Sequence, residues 1–351
     1  MKINKAHREH AHRLLQCLAV AVRPLRVEEL AEIMALDFGT EGIPKLNLDW
    51  RSEDPEQAVL SACSSLIAIV DLDTSRVAQF SHFSVEQFLT WHGLAASNGR
   101  VSRYRVSLKS ANIILAQAYL GILLRLDDRA DRITIKDFPL AEYATRHWAD
   151  HARFEDVSSR VQDGMKLLFD PEKPHFRTWV WIYDMDSDES PGCPTAQPTP
   201  TQAVPLYYAT LCGFRDLAEH LIVTHPLDVN ARGGRYIFSI HAASYQAHLQ
   251  IARLLIEHGA DVNTRDGKNS TPLHIAAQSG DSELVQLLLS LHAGVNATTS
   301  SRSTPLHVAS GTRDFAAVHV PFEHGVDVRA RDDQGSTPLN LASVQGNITV
   351  V

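Results

Sequence analysis

At 351 residues the chain exceeds what one hydrophobic core usually fills, so two or three domains are expected. Its 33 basic and 41 acidic side chains give a formal charge of -8, which argues against an electrostatic footprint for nucleic acid or an anionic membrane surface. Cys17, Cys63, Cys193 and Cys212 are scattered without a CxxC pair, so neither a zinc site nor a disulfide framework is indicated, and a reducing, cytoplasmic setting is expected.

The first 25 residues are basic and then apolar, as in a signal peptide, but they run into Arg23 and Pro24 without a small-residue cleavage site. They read instead as a core helix over residues 6–22, with Leu14, Leu15, Leu18 and Val22 at helical spacing. No apolar run reaches the 18 residues a membrane span needs. A second helix is expected over residues 27–36. Asp54, Pro55 and Gln57 then supply an N-cap, a first-turn proline and a capping-box partner for a third, reaching Ser64. The period changes at residues 66–72, a branched apolar run. A turn at 73–75 and a second short strand at 77–80 complete a hairpin. Ser84 and Gln87 offer a capping box for the helix VEQFLTW.

Three helices and a hairpin form the order of a winged helix, expected over residues 1–95. Here LLQCLAVAVRPLRVEELAEIMALDF and FSHFSVEQFL resemble the winged helix of fungal NACHT-ankyrin proteins, also named after GPI inositol-deacylase. That family belongs to the signal-transducing ATPases with multiple domains (STAND). The resemblance implies a module that packs against a NACHT ATPase domain and relays its state. A winged helix can alternatively bind DNA, but residues 55–64 hold no Lys or Arg for phosphate contacts.

Residues 96–184 are expected to form a helical domain. SLKSANIILAQAYLGILLRL reads as a long buried helix, followed by LAEYATRHWADHA and VSSRVQDGMKLLF. The closing HFRTWVWIYD carries Phe176, Trp179, Trp181 and Tyr183, and is expected to cover the exposed end of a solenoid beginning near Pro205. Residues 185–203, rich in acids and prolines, read as a linker.

From residue 204 the sequence repeats. Leu206, Ile240, Leu273, Leu306 and Leu339 occupy equivalent positions at intervals of 34, 33, 33 and 33 residues. In the clearest unit, Thr271 caps a helix that Pro272 starts. Ala276 and Ala277 let a second helix approach closely, Leu284 to Leu289 supply that helix's apolar face, and Gly280 suits the turn between. TPLH at 271–274 and 304–307, TPLN at 337–340, and DVN at 228–230 and 261–263 stand in register. These motifs resemble ankyrin repeats, about four and a half of them over residues 204–351. The fold class is therefore mainly α: a winged helix and helical domain followed by an ankyrin α-solenoid. Repeat one departs from the motif at Val204 and Tyr207, and repeat two at Phe238 and Ser239. In repeat four Pro321 falls inside the expected second helix and Gly311 displaces the turn glycine. The motif histidines His241, His274 and His307 read as structural hydrogen-bonding groups.

No residue pattern points to catalysis. There is no GxxxxGK[ST], and GKNS at 267–270 lies in a repeat loop without the strand and helix a phosphate loop requires. GxSxG and HExxH are absent. His7, Glu9, His10 and His12 read as a solvated helix face rather than a metal cluster. The chain thus reads as a non-enzymatic scaffold without a cofactor, like the C-terminal part of a NACHT-ankyrin receptor without its ATPase. The ankyrin resemblance implies a concave surface of fingers and first helices that binds a protein partner. By position that surface takes Arg235, Tyr236 and Tyr245 at repeat two, Arg265, Lys268, Gln278 and Ser279 at repeat three, and Arg302 at repeat four.

Overall fold

A computed structural model describes residues 5–39, 42–63, 65–73, 75–91, 105–127, 135–186, 204–225, 227–311 and 324–345. The chain divides into two compact units, residues 1–201 and 202–351. The linker residues 187–203 and the segment around Pro321 lie outside the described residues.

In the first unit, helix α1 (Lys5–Val20) stops ahead of Pro24 and buries Leu14, Leu15 and Cys17. Val22, expected on its apolar face, lies beyond the helix and is 56% exposed. Strand β1 (Leu25–Arg26) leads into α2 (Val27–Met34), which buries Val27, Leu30 and Ile33. Leu36, expected to close that helix, instead belongs to β2 (Leu36–Asp37), paired with β3 (Lys45–Leu46). Asp54 Oδ1 accepts from Gln57 N at 3.0 Å and caps α3 (Pro55–Cys63). Strands β4 (Ile67–Leu72) and β5 (Ser75–Phe80) form the antiparallel wing, with Leu72 opposite Ser75 and Ile67 opposite Phe80. β1 adds to the free edge of β5, so the sheet has three strands in the order β1-β5-β4. Helix α4 (Phe83–Thr90) begins one residue before the expected cap: the His82 ring accepts from Ser84 N at 3.2 Å.

The helical region packs on this module through α5 (Leu108–Leu123) and α6 (Ala141–Ala152). The helix expected from VSSRVQDGMKLLF is broken at Val161 into α7 (Val157–Arg160) and α8 (Gln162–Leu168). The aromatic segment forms α9 (His175–Ile182). Phe176 and Trp179 turn into this unit's own core. Trp179 meets Trp148 edge-on at 5.4 Å and donates Nε1–H to Thr145 O at 2.9 Å. Two carboxylates on α2 are buried under cations, and the second ties the module to the helices. Glu29, fully buried, accepts from Arg23, from Arg26 Nε at 2.8 Å and from Arg26 N at 2.7 Å. Glu32 accepts from Arg51 and, at 2.7 Å, from Leu140 N, while burial pushes its own pKa up.

Close packing leaves no room for a side chain at Gly121 on α5, where a Cβ would stand 2.5 Å from the Pro44 carbonyl oxygen. Gly121→Ala is therefore expected to destabilise this unit by about 1–3 kcal/mol, against the gain of about 1 kcal/mol that alanine brings inside a helix. Chemical denaturation measures this, and an unchanged midpoint would show that the chain around Pro44 yields. Among the described residues, no helix is long and apolar enough to cross a membrane.

The second unit stacks helix pairs. These are α10 (Pro205–Leu211) with α11 (Arg215–Thr224), α12 (Ser239–Tyr245) with α13 (Leu249–Glu257), and α14 (Pro272–Ser279) with α15 (Ser282–Ser290). The first helices of repeats four and five are α16 (Pro305–Ser310) and α17 (Pro338–Val344). Gly280 ends α14 at φ 76, a left-handed turn that glycine adopts without strain, whereas Gly311 ends α16 at φ -81. On α17, Leu339 is 50% and Val344 83% exposed.

Candidate protein-binding site

Between successive helix pairs the chain runs out into a finger, and two ladders of side-chain hydrogen bonds hold each finger to the next repeat. The first is built by the motif histidines. The backbone N–H of Thr271 donates to His274 Nδ1 at 3.1 Å, which leaves the proton on Nε2. That nitrogen donates to Ser303 O in the next finger at 3.1 Å. His307 repeats the arrangement with Thr304 and Ser336, and His241 reaches Ser270. Each of these bonds spans 29 residues.

Repeat one keeps the rung with the opposite polarity. Tyr207 stands where the histidine is expected, and its hydroxyl accepts from Tyr236 N at 3.0 Å, again 29 residues on. Its ring fills the space over Gly233, where a Cβ would lie 2.3 Å from the ring. The second ladder runs through the loop asparagines. Asn230 accepts from Asp261 N at 2.9 Å and donates to Gly259 O, Asn263 accepts from Gly294 N at 2.8 Å, and Asn296 accepts from Asp327 N at 2.8 Å.

On this frame the sequence-predicted contact residues fall into three places. Arg235, Tyr236 and Tyr245 come together at repeat two. The two tyrosine rings stack at 4.4 Å, with the Arg235 guanidinium 6.0 Å from the Tyr236 ring. Tyr245 is 51% exposed and Tyr236 half-buried beneath it. Arg265 and Lys268 lie on the third finger, both exposed. Arg265 donates to Thr298 O at 2.8 Å, and Ser300 N donates to Lys268 O at 2.9 Å, so fingers three and four are stitched together. Gln278 and Ser279 sit exposed at the end of α14, where the Ser279 hydroxyl donates to Ala276 O of its own helix. Arg302 is exposed on finger four.

Arg302 also carries a backbone cost, with φ 59 at the position that Gly335 fills one repeat later at φ 75. Arg302→Gly is expected to raise the stability of this unit by about 1 kcal/mol, by relieving the left-handed strain. Arg302→Ala keeps that strain and separates stability from binding in thermal unfolding. No rise for the glycine variant would show that the finger relaxes around Arg302.

Repeat two departs most from its neighbours. Phe238 replaces the capping threonine, and His241 Nδ1 is buried without a hydrogen-bond partner among the described residues. Ile237, a β-branched residue, is held at φ 67. Two exposed finger cations escaped the sequence reading. Arg232 and Arg331 are in 33-residue register with Arg265, a periodicity that inspecting each finger by itself conceals. Among the described residues, no group of three or more His, Cys, Asp or Glu side chains converges to hold a metal ion.

Comparison with known proteins matches both units. Residues 206–299 and 273–351 match the family model for ankyrin repeats, and residues 1–99 match that for the GPI inositol-deacylase winged helix domain. The chain is also similar to azaphilone pigments biosynthesis cluster protein L of Monascus ruber, at 29% identity over 258 residues. That match covers 69% of this chain and 54% of the relative, so the chain spans about half of the curated protein's length. Ankyrin repeats are protein-interaction modules, and the chain carries them in its C-terminal half, after a winged-helix domain of the GPI inositol-deacylase type.

Proposed function

We propose that the chain is a non-catalytic scaffold whose ankyrin fingers and first helices grip a protein partner. It would serve in the cytoplasm as the sensor or adaptor part of a STAND-type signalling protein. The observation that carries this reading is the stack of exposed Tyr245 on Tyr236 beside Arg235, set on laddered fingers. Tyrosine has few side-chain torsions and loses little conformational entropy on contact, and both tyrosine and arginine are favoured at interface hot spots. The strain at Ile237 and the unpartnered His241 nitrogen support the same place, because such costs persist where function needs them.

A NACHT ATPase domain is a second partner in this reading, taken by the winged helix, where Val22 and Phe83 stand exposed at a groove over Leu18, Leu25 and Phe80. Binding of DNA is disfavoured: α3 carries no Lys or Arg, and Arg76 on the wing is paired with Glu56. Photo-crosslinking tests the scaffold reading, with a benzophenone side chain placed at Tyr245 or Gln278 in the full chain and, for comparison, at Glu219 or Arg253 on second helices. Protein adducts are expected at the first pair alone. Adducts equal at all four positions, or ATP hydrolysis by the purified chain above background, would overturn it.

A further inference from the structure

We propose that fingers two to four take an extended acidic segment of the partner, with the Tyr236–Tyr245 stack receiving an apolar or aromatic side chain of that segment. This inference rests on the protein-binding reading above and adds the chemistry of what is bound.

Charge is unevenly distributed in the chain. Against an overall formal charge of -8, the fingers at residues 231–238, 264–270 and 297–303 hold Arg232, Arg235, Arg265, Lys268 and Arg302, and a single acid, Asp266. All five cations are exposed. Asp266 Oδ1 is taken up within its own turn, accepting from Lys268 N at 2.8 Å and Ser270 N at 2.7 Å. The run has an end, because finger five carries Asp332 and Asp333 beside Arg331. Arg232 and Arg265, like Arg235 and Lys268, are one repeat of 33 residues apart, so the cations line up along the stack.

The middle of the row is also held in place. Arg265 is braced by Thr298 O and by Asn269 O at 3.3 Å, and Asn269 Nδ2 donates to Ser300 Oγ at 3.3 Å. Cations carried on neighbouring fingers that are bonded to one another, with Arg265 itself pinned, present a spaced field, and such a field selects partners and speeds their encounter. Stacked helices lie about 8–10 Å apart, and an extended chain advances about 3.3 Å per residue, so a carboxylate at about every third residue meets successive fingers.

The test uses the full chain and a fluorescein-labelled peptide of about 12 residues, with Glu at every third position, one Trp, and Ser and Gly elsewhere. Binding is expected to weaken at least about ten-fold between about 50 and 300 mM NaCl. The Arg235→Glu/Lys268→Glu variant is expected to lose at least about ten-fold more, and Arg235→Gln/Lys268→Gln an intermediate amount. Arg215→Glu, at an exposed position of α11, leaves binding unchanged. A peptide with Lys in place of Glu binding equally well, wild-type affinity in both finger variants, or displacement by oligothymidylate at equal concentration would each overturn the proposal, the last in favour of nucleic acid. If the acidic peptide fails while a benzophenone at Tyr245 still captures protein, the acidic chemistry alone is wrong. If both fail, the interface falls with it.

Discussion

His274→Ala is expected to lower the stability of the ankyrin unit by about 3 kcal/mol, since it leaves two buried backbone groups unpaired and opens a cavity. The side chain is 2% exposed, accepts from Thr271 N and donates to Ser303 O. The same residue sets a pH dependence. Burial pushes its pKa down to about 4 from the ordinary value of 6.5. As pH falls below 6.5 the unfolded chain takes up the proton first, so this stabilisation is complete above 6.5 and drains away toward pH 4. A lowering of that size corresponds to about 3 kcal/mol. Burial lowers His241 in the same direction. Urea midpoints measured from about pH 7 to about pH 4.5 should fall for the native chain and fall less for the alanine variant. Parallel profiles would remove His274 as the source.

Trp179→Ala is expected to cost about 4 kcal/mol in the first unit, the range for removing a buried tryptophan. Its ring packs against Trp148, Phe169 and Phe176, at 5.4, 5.5 and 5.8 Å. Hydrogen exchange locates the loss: amides of residues 141–169 should exchange faster, while those of 240–310 keep their protection. Faster exchange at residues 205–225 as well would support the capping role expected of this aromatic segment.

The repeat architecture was legible because its signals are local and recur. Thr271, Pro272 and Gly280 each act within a few residues of themselves, and a 33-residue period multiplies weak evidence. The wing hairpin was legible for a similar reason, since Leu72 and Ser75 meet across a tight turn. What escaped depends on distant partners. Strand β1 exists because Leu25 finds Ala78, and the ribbon at Leu36 because Leu46 returns to it. Glu29 and Glu32 look like ordinary helix-surface acids until Arg23, Arg51 and Leu140 close over them. At the candidate site, the sequence placed Tyr236 and Tyr245 in one repeat, but the stacking of their rings depends on how a finger folds back over a helix end. Ser279 illustrates the reverse, a residue with the right position whose hydroxyl is engaged by its own helix.

Among the described residues, the histidine and asparagine rungs bridge 29 or 31 residues and skip no repeat. Under mechanical load such an array yields serially, like a zip fastener, with a sawtooth of similar force peaks rather than one rupture. A molecule clasped across fingers two to four would lock three teeth at once, turning the middle of the zip into its stiffest section.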